Sequence, residues 1–148
     1  MSAPDLTALV EARVRTAVTA LHGRVQGAAD LAALIERDAL PQRRPCAFVV
    51  DLGEDATPPG PGTMVFRQTV TSLVGVVLVE DKAGDVKGGA ARAALTPLVA
   101  AVRDALVGWR AAGVDWPVEY RRARLLAMRG GLVFRQVDVA GRWLLTAP

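Results

Sequence analysis

MVFRQTVTSLVGVVLVE, residues 64 to 80, is rich in β-branched residues and free of proline, so it reads as one long strand, or two joined at a bend near Ser72 or Gly75. Its first half carries Arg67, Gln68, Thr69 and Thr71, whereas Leu73 to Val79 is apolar on both faces except at Gly75, as in a strand covered from both sides. Unless one of the chain's own helices crosses each face, the second covering comes from another subunit. Alternation then predicts Val74, Val76 and Leu78 as the subunit interface, on the face that the chain's helices leave open. A one-residue bulge would exchange that set for Leu73, Val77 and Val79.

Upstream, CAFVVDLG, residues 46 to 53, is short and apolar, follows Pro45 and predicts a first strand. The stretch Glu54 to Gly62, EDATPPGPG, reads as a loop because its three prolines and two glycines do not fit a regular element. Its length and backbone restriction make Glu54, Asp55, Thr57, Pro58 and Pro59 a candidate partner-binding loop. Nearer the N-terminus, Leu6, Val10, Val14, Ala17, Val18 and Leu21 recur every three or four residues, the stripe of an amphipathic helix that Asp5 or Ser2 would cap. After a break at Gly23 to Gly27, Asp30 starts a shorter helix through Leu31, Leu34 and Ile35 that ends before Pro41.

Downstream, DKAGDVKGG is a polar turn, and Ala91, Leu95, Leu98, Val102, Leu106 and Trp109 mark a core helix from about 90 to 109, perturbed at Pro97. YRRARLLAM and LVFRQVDVAGRWLL are two strands joined at Gly130 and Gly131, a hairpin signal. The sum is an α+β fold with a mainly antiparallel four-stranded sheet and helices packed on one face, forming a single domain over residues 1–148.

Composition narrows the function. With 148 residues, 51% hydrophobic and 22% charged, the chain can bury a core without metal or disulfide staples. One Cys and one His leave little material for a metal site, a thiol nucleophile or a Ser-His-Asp relay, so no catalytic residue, metal ligand or cofactor is expected. His22 reads as a structural or exposed residue and Cys46 as a small core hydrophobe. The glycines of AGDVKGGAA lack the Gly-Lys-Ser/Thr order of a phosphate loop. GGLVFRQV lacks the paired aromatic motif of RNA-recognition sheets. The adjacent acidic pairs Glu54–Asp55 and Glu80–Asp81 point apart on an extended chain.

No signal-peptide pattern and no membrane-length apolar run occur, which predicts a cytoplasmic protein without membrane contact. The net charge of +3 hides an asymmetry, since residues 1 to 60 hold 6 basic and 8 acidic groups while 109 to 148 hold 7 and 3. Alternation divides the C-terminal arginines between two faces, which argues against a gathered nucleic-acid surface.

This order of elements, with ALVGWRAAGVDWPVEYRRARLLAMRGGLVFRQVDV, resembles the tail terminator proteins of long-tailed bacteriophages and of phage-derived gene transfer particles. The likeness lies in a core helix ending at Leu106, Gly108 and Trp109. A proline loop follows at Pro117, then a strand at Leu125, a turn at Gly130 and a strand at Val133 and Phe134. The resemblance implies a structural virion protein, without enzymatic activity. It would form a homohexameric ring that caps the head-proximal end of the tail tube, stops its polymerisation and joins the tail to the head. Its implied partners are the major tail tube protein and a head-tail connector or head-closure protein. DNA would pass through the ring without sequence-specific contact. The implied location is the bacterial host cytoplasm during assembly, then the particle tail. A small cytoplasmic ligand-binding or regulatory α+β domain is the alternative, and a small hydrolase or transferase using Cys46 or His22 ranks last.

Overall fold

The computed structural model describes residues 3–60, 65–81 and 89–147. The polar turn expected at residues 82–88, the last part of the loop expected at 54–62, Met64 and Ser2 lie outside them. In chain order come α1 (Leu6–Ala17), a 3₁₀ turn (Thr19–Leu21), β1 (Val25–Gly27), α2 (Ala28–Glu36) and β2 (Cys46–Ala56). They are followed by β3 (Phe66–Asp81), α3 (Gly89–Leu106), β4 (Glu119–Arg129) and β5 (Leu132–Ala147). The sheet has five strands in the order β1-β2-β3-β5-β4 and is mixed, because β1 runs parallel to β2 while all other pairs are antiparallel. The α+β class stands, but the sheet has one strand more than the sequence predicts. The extra strand is three residues at Val25–Gly27, inside the segment read as a break. A strand that short carries no period of its own, and its pairing with Ala47–Val49 is set by non-local placement.

Local chemistry accounts for the helices. The Asp5 side chain accepts from the Ala8 amide at 3.1 Å and so caps α1. Asp30 sits at the third position of α2, not the first, and its carboxylate accepts from the Gly27 amide at 3.3 Å. Pro97 lies inside α3 rather than starting a new helix, and it is exposed. Between β4 and β5, Gly130 and Gly131 both take positive φ, 58° and 77°, the requirement of a tight two-residue hairpin turn.

The long segment is one continuous strand, paired along its whole length with β5 from Phe66↔Ala147 to Asp81↔Leu132. Its faces divide by parity. On one face Val74, Val76 and Leu78 are buried with Leu6, Val10, Val14, Leu98, Val102 and Leu106, beneath α1 and α3. On the other, Val77 and Val79 are buried with Cys46, Phe48 and Leu132, against Leu31 and Leu34 of α2. Helices therefore lie on both sides of the sheet, not on one. Val74, Val76 and Leu78 occupy the helix-covered face, the reverse of the sequence expectation. The physical reason is that α2 crosses to the opposite side, so both faces of β3 from Val74 to Val79 are covered within the chain.

Close approach matters at Gly141, where an added Cβ would lie 2.7 Å from Leu6 Cδ2, so the absent side chain lets α1 settle on β5. Arg13 of α1 ties the two helices of that face together. Its Nε donates to the Ala105 carbonyl at 2.8 Å, and its guanidinium lies 4.9 Å from the Trp109 ring centroid. Since Val76 is wholly buried here, Val76→Asp places an unpaired carboxylate in the core at a cost of several kcal/mol. The expected outcome is loss of the cooperative thermal transition followed by circular dichroism. A folded but dissociated variant would contradict this packing.

Candidate functional site

The surfaces able to meet a partner are set by strand length. β2 extends to Ala56, so Glu54 and Asp55, expected in a loop, instead continue the strand opposite Ser72 and Thr71. A bulge at Leu52 keeps this outer half in register. Gly53 takes φ +95°, and its amide donates to Asp51 Oδ1 at 2.8 Å. Three prolines had marked the whole stretch as irregular, but the first of them is Pro58, beyond the paired residues. Pairing continues past the strand as the Thr57 amide donates to the Thr69 carbonyl at 2.9 Å. Thr57, Pro58 and Pro59 are exposed at the end of this ribbon, beside a groove of about 510 Å³ lined by Thr57, Pro58, Gly60, Val65, Arg67 and Leu144.

The ribbon's outer edge is open. β1 pairs only with Ala47–Val49, so among the described residues Asp51–Ala56 meets no strand on that side. The segment's residues are all exposed, Leu52 at 39%, and it carries Asp51, Glu54 and Asp55 with no basic residue. At the other margin of the sheet, β4 pairs on one side only, with β5. It presents Arg121, Arg122, Arg124 and Arg129 together with exposed Leu125, Leu126 and Met128, Leu125 at 57% exposure. Arg129 pairs with Asp38, Arg121 approaches Glu119 at 3.6 Å, and Glu119 also pairs with Arg142 at 2.8 Å.

Between the edges, on the α2 side of the sheet, lies a buried polar group that sequence reasoning missed. Asp138 is 3% and Gln136 5% exposed. Gln136 Nε2 donates to Asp138 Oδ1 at 2.6 Å, and Arg122 Nε donates to Asp138 Oδ2 at 2.9 Å. An unpaired carboxylate at this depth would cost several kcal/mol, so Arg122 is held to the sheet whereas Arg124 is not bound in this way. Gly75 makes room for the group, since a Cβ there would lie 3.0 Å from Gln136 Nε2 and 3.2 Å from Leu52 Cδ1. The Gly130–Gly131 hairpin continued without interruption would set Arg122 opposite Val139. The bulge at Leu126 shifts the register by one and brings Arg122 opposite Asp138, which is why the sequence pattern does not announce the pair.

The residues weighed for chemistry do not converge. His22 is exposed at a left-handed backbone position, φ 50°, closing the 3₁₀ turn. Cys46 is buried at the base of β2, and burial pushes its thiol up from 9.0 to about 11 despite Arg24 and Arg44. It borders an open cleft of about 750 Å³ between α2 and the segment from Leu40 to Arg43. Among the described residues no three His, Cys, Asp or Glu side chains group as metal ligands, and no helix is long and apolar enough to cross a membrane.

A family model described as phage tail terminator protein matches residues 1–139. Among solved structures, a chain from one described as the virion of a native gene transfer agent particle is similar at a TM-score of 0.50 and 20% identity. The match covers 93% of this chain and 92% of that one. At that identity the likeness concerns the fold. No curated protein sequence matches significantly.

The state of Cys46 has a measurable consequence. Its thiol stays protonated through neutral pH, so alkylation of the native protein should be slow and should accelerate on unfolding. With the folded value raised, the stability associated with the neutral thiol is present below about pH 9 and is lost as pH rises from 9 toward 11. Cys46→Ala should lower stability by roughly 1 kcal/mol, seen in urea unfolding, and remove that thiol-dependent part of the alkaline loss.

Proposed function

Since the chain belongs to the phage tail terminator family, and so to the structural proteins of phage tails, we propose that it assembles as a homohexameric ring on the head-proximal end of the tail tube. There it stops tube polymerisation and provides the seat for the head connector or head-closure protein. The family match over residues 1–139 is the observation that carries this reading. The structure supports it with an α+β body whose sheet has open edges at β2 beyond Val49 and along β4 that differ in charge. A one-sided contact surface of that kind suits a closed ring better than a two-fold dimer. The role requires no reaction, in keeping with the burial of Cys46, the exposure of His22 and the protonated state of the thiol. The ring belongs first to the host cytoplasm during assembly and then to the tail of a virion or gene transfer particle, with DNA passing through its lumen.

The partner-binding role moves from the whole of Glu54–Pro59 to its end. Glu54, Asp55 and Thr57 are held in the ribbon, while Pro58 and Pro59 are exposed at its end, where the tube or the connector can reach them.

Mass photometry and sedimentation across a concentration series test the ring, with a six-fold species expected and a monomer at all concentrations contradicting it. Added to polymerising tube protein, the chain should cap tubes at a defined length. Replacing residues 58–68 by a two-residue Asn-Gly turn, which joins the hydrogen-bonded Thr57 and Thr69, should leave the ring intact and abolish attachment to tubes. If ring formation and attachment both survive, the segment is only a connection.

A further inference from the structure

We propose that successive copies join edge to edge by continuing the sheet, the acidic outer edge of β2 at Asp51–Ala56 in one copy docking on the arginine-rich outer edge of β4 in the next. The inference rests on the ring reading and names the surfaces that close the ring.

Three observations carry it. First, among the described residues the sheet leaves backbone without strand partners at β2 beyond Val49 and along β4. The outer edge of β1 is only three residues long, and β5 beyond Ala140 is met by Asp115 and Trp116, whose amides donate to the Arg142 carbonyl. Open edges are templates for strand addition. Second, the margins are complementary. One holds Asp51, Glu54 and Asp55 and no basic residue; the other holds four arginines and one glutamate. Each also exposes apolar side chains, Leu52 on one and Leu125, Leu126 and Met128 on the other. Third, the directions fit. Three successive antiparallel pairings make β2 and β4 run oppositely within one sheet, so a next copy that continues the sheet sets β2 antiparallel to β4. Because the ladders put Arg122 level with Val50, that copy is displaced along the strands to bring Asp51–Ala56 against the arginines.

The arginines of β4 and its two bulges, near Arg121 and Leu126, guard the edge against indiscriminate pairing. A second β4 edge would bring like charges together. An acidic edge removes that penalty, so the charges select β2 of another copy as occupant. Because the two surfaces differ, the contact is heterologous and every copy uses both, which is the condition for a ring.

Charge exchange tests this. Arg121→Glu with Arg124→Glu reverses one edge, and Glu54→Lys with Asp55→Lys reverses the other. All four residues are exposed, and Arg122 is left in place because it neutralises Asp138. Each double variant alone should associate about tenfold or more weakly than the natural chain. An equimolar mixture should recover rings in which the two variants alternate, and a chain carrying all four substitutions should assemble by itself. Circular dichroism and thermal unfolding establish that the variants fold. If one does not, Arg121→Gln with Arg124→Gln replaces it, with weakened association still expected. Single-edge variants that assemble like the natural chain, or folded variants that the mixture fails to restore, overturn this interface while leaving the ring standing. A natural chain that remains monomeric overturns the ring itself, and the interface with it.

Discussion

The pairing of β3 with β5, unbroken from Phe66↔Ala147 to Asp81↔Leu132, imposes a length on the molecule that its helices do not match. Sixteen extended residues span roughly 53 Å, whereas the twelve of α1 and the eighteen of α3 span about 18 and 27 Å. Only part of the sheet can be roofed. Over that part Val74, Val76 and Leu78 on one face and Val77 and Val79 on the other are excluded from water. Each such side chain contributes roughly 1.5 to 3 kcal/mol. Beyond it the strands run on as a ribbon held by its backbone ladder and by the buried pair Val70 and Trp143, whose indole donates to Ser72 Oγ. The body is therefore a stable platform and the ribbon a projection from it.

Electrostatics follows the same division. Where the sheet is covered, the one deeply buried carboxylate among the described residues, Asp138, is matched by Arg122 and Gln136, and Gly75 supplies the space. Charge gathers on the margins, acidic along β2 where the sheet runs on uncovered and basic along β4, which flanks the covered part of β5. The chain-wide excess of +3 conceals this, because the margins largely cancel in the sum. A protein that makes the same contact repeatedly around a ring needs a directional surface, and segregation of sign across one sheet provides it without a binding pocket.

The reading of β3 illustrates how a correct local pattern can support a wrong conclusion. Its apolar residues on both faces do require two coverings, and both exist. The second is α2, with Leu31 and Leu34 over Val77 and Val79, so the pattern by itself does not argue for another subunit. What does argue for one lies at the margins, in residues first assigned to a loop, Glu54 and Asp55, and in an Arg-dense strand whose charges were divided between faces. Both belong to the sheet's edges, and an edge is defined only by which strands pair.

Properties that depend on near neighbours in the chain were determined by the sequence. The period of Leu6, Val10 and Val14 makes α1 amphipathic, β-branching makes 66–81 extended, and two glycines turn the β4–β5 hairpin. Scarcity of His and Cys leaves little material for catalytic chemistry. The order of these elements also carried the family resemblance. Tertiary structure alone decided the parallel strand Val25–Gly27, the side on which α2 packs, the face given to Val76 and the meeting of Arg122 with Asp138. Periodicity states that a strand has two faces but not which element covers each. That choice is settled by contacts between segments distant in sequence, whose energies exceed any local preference.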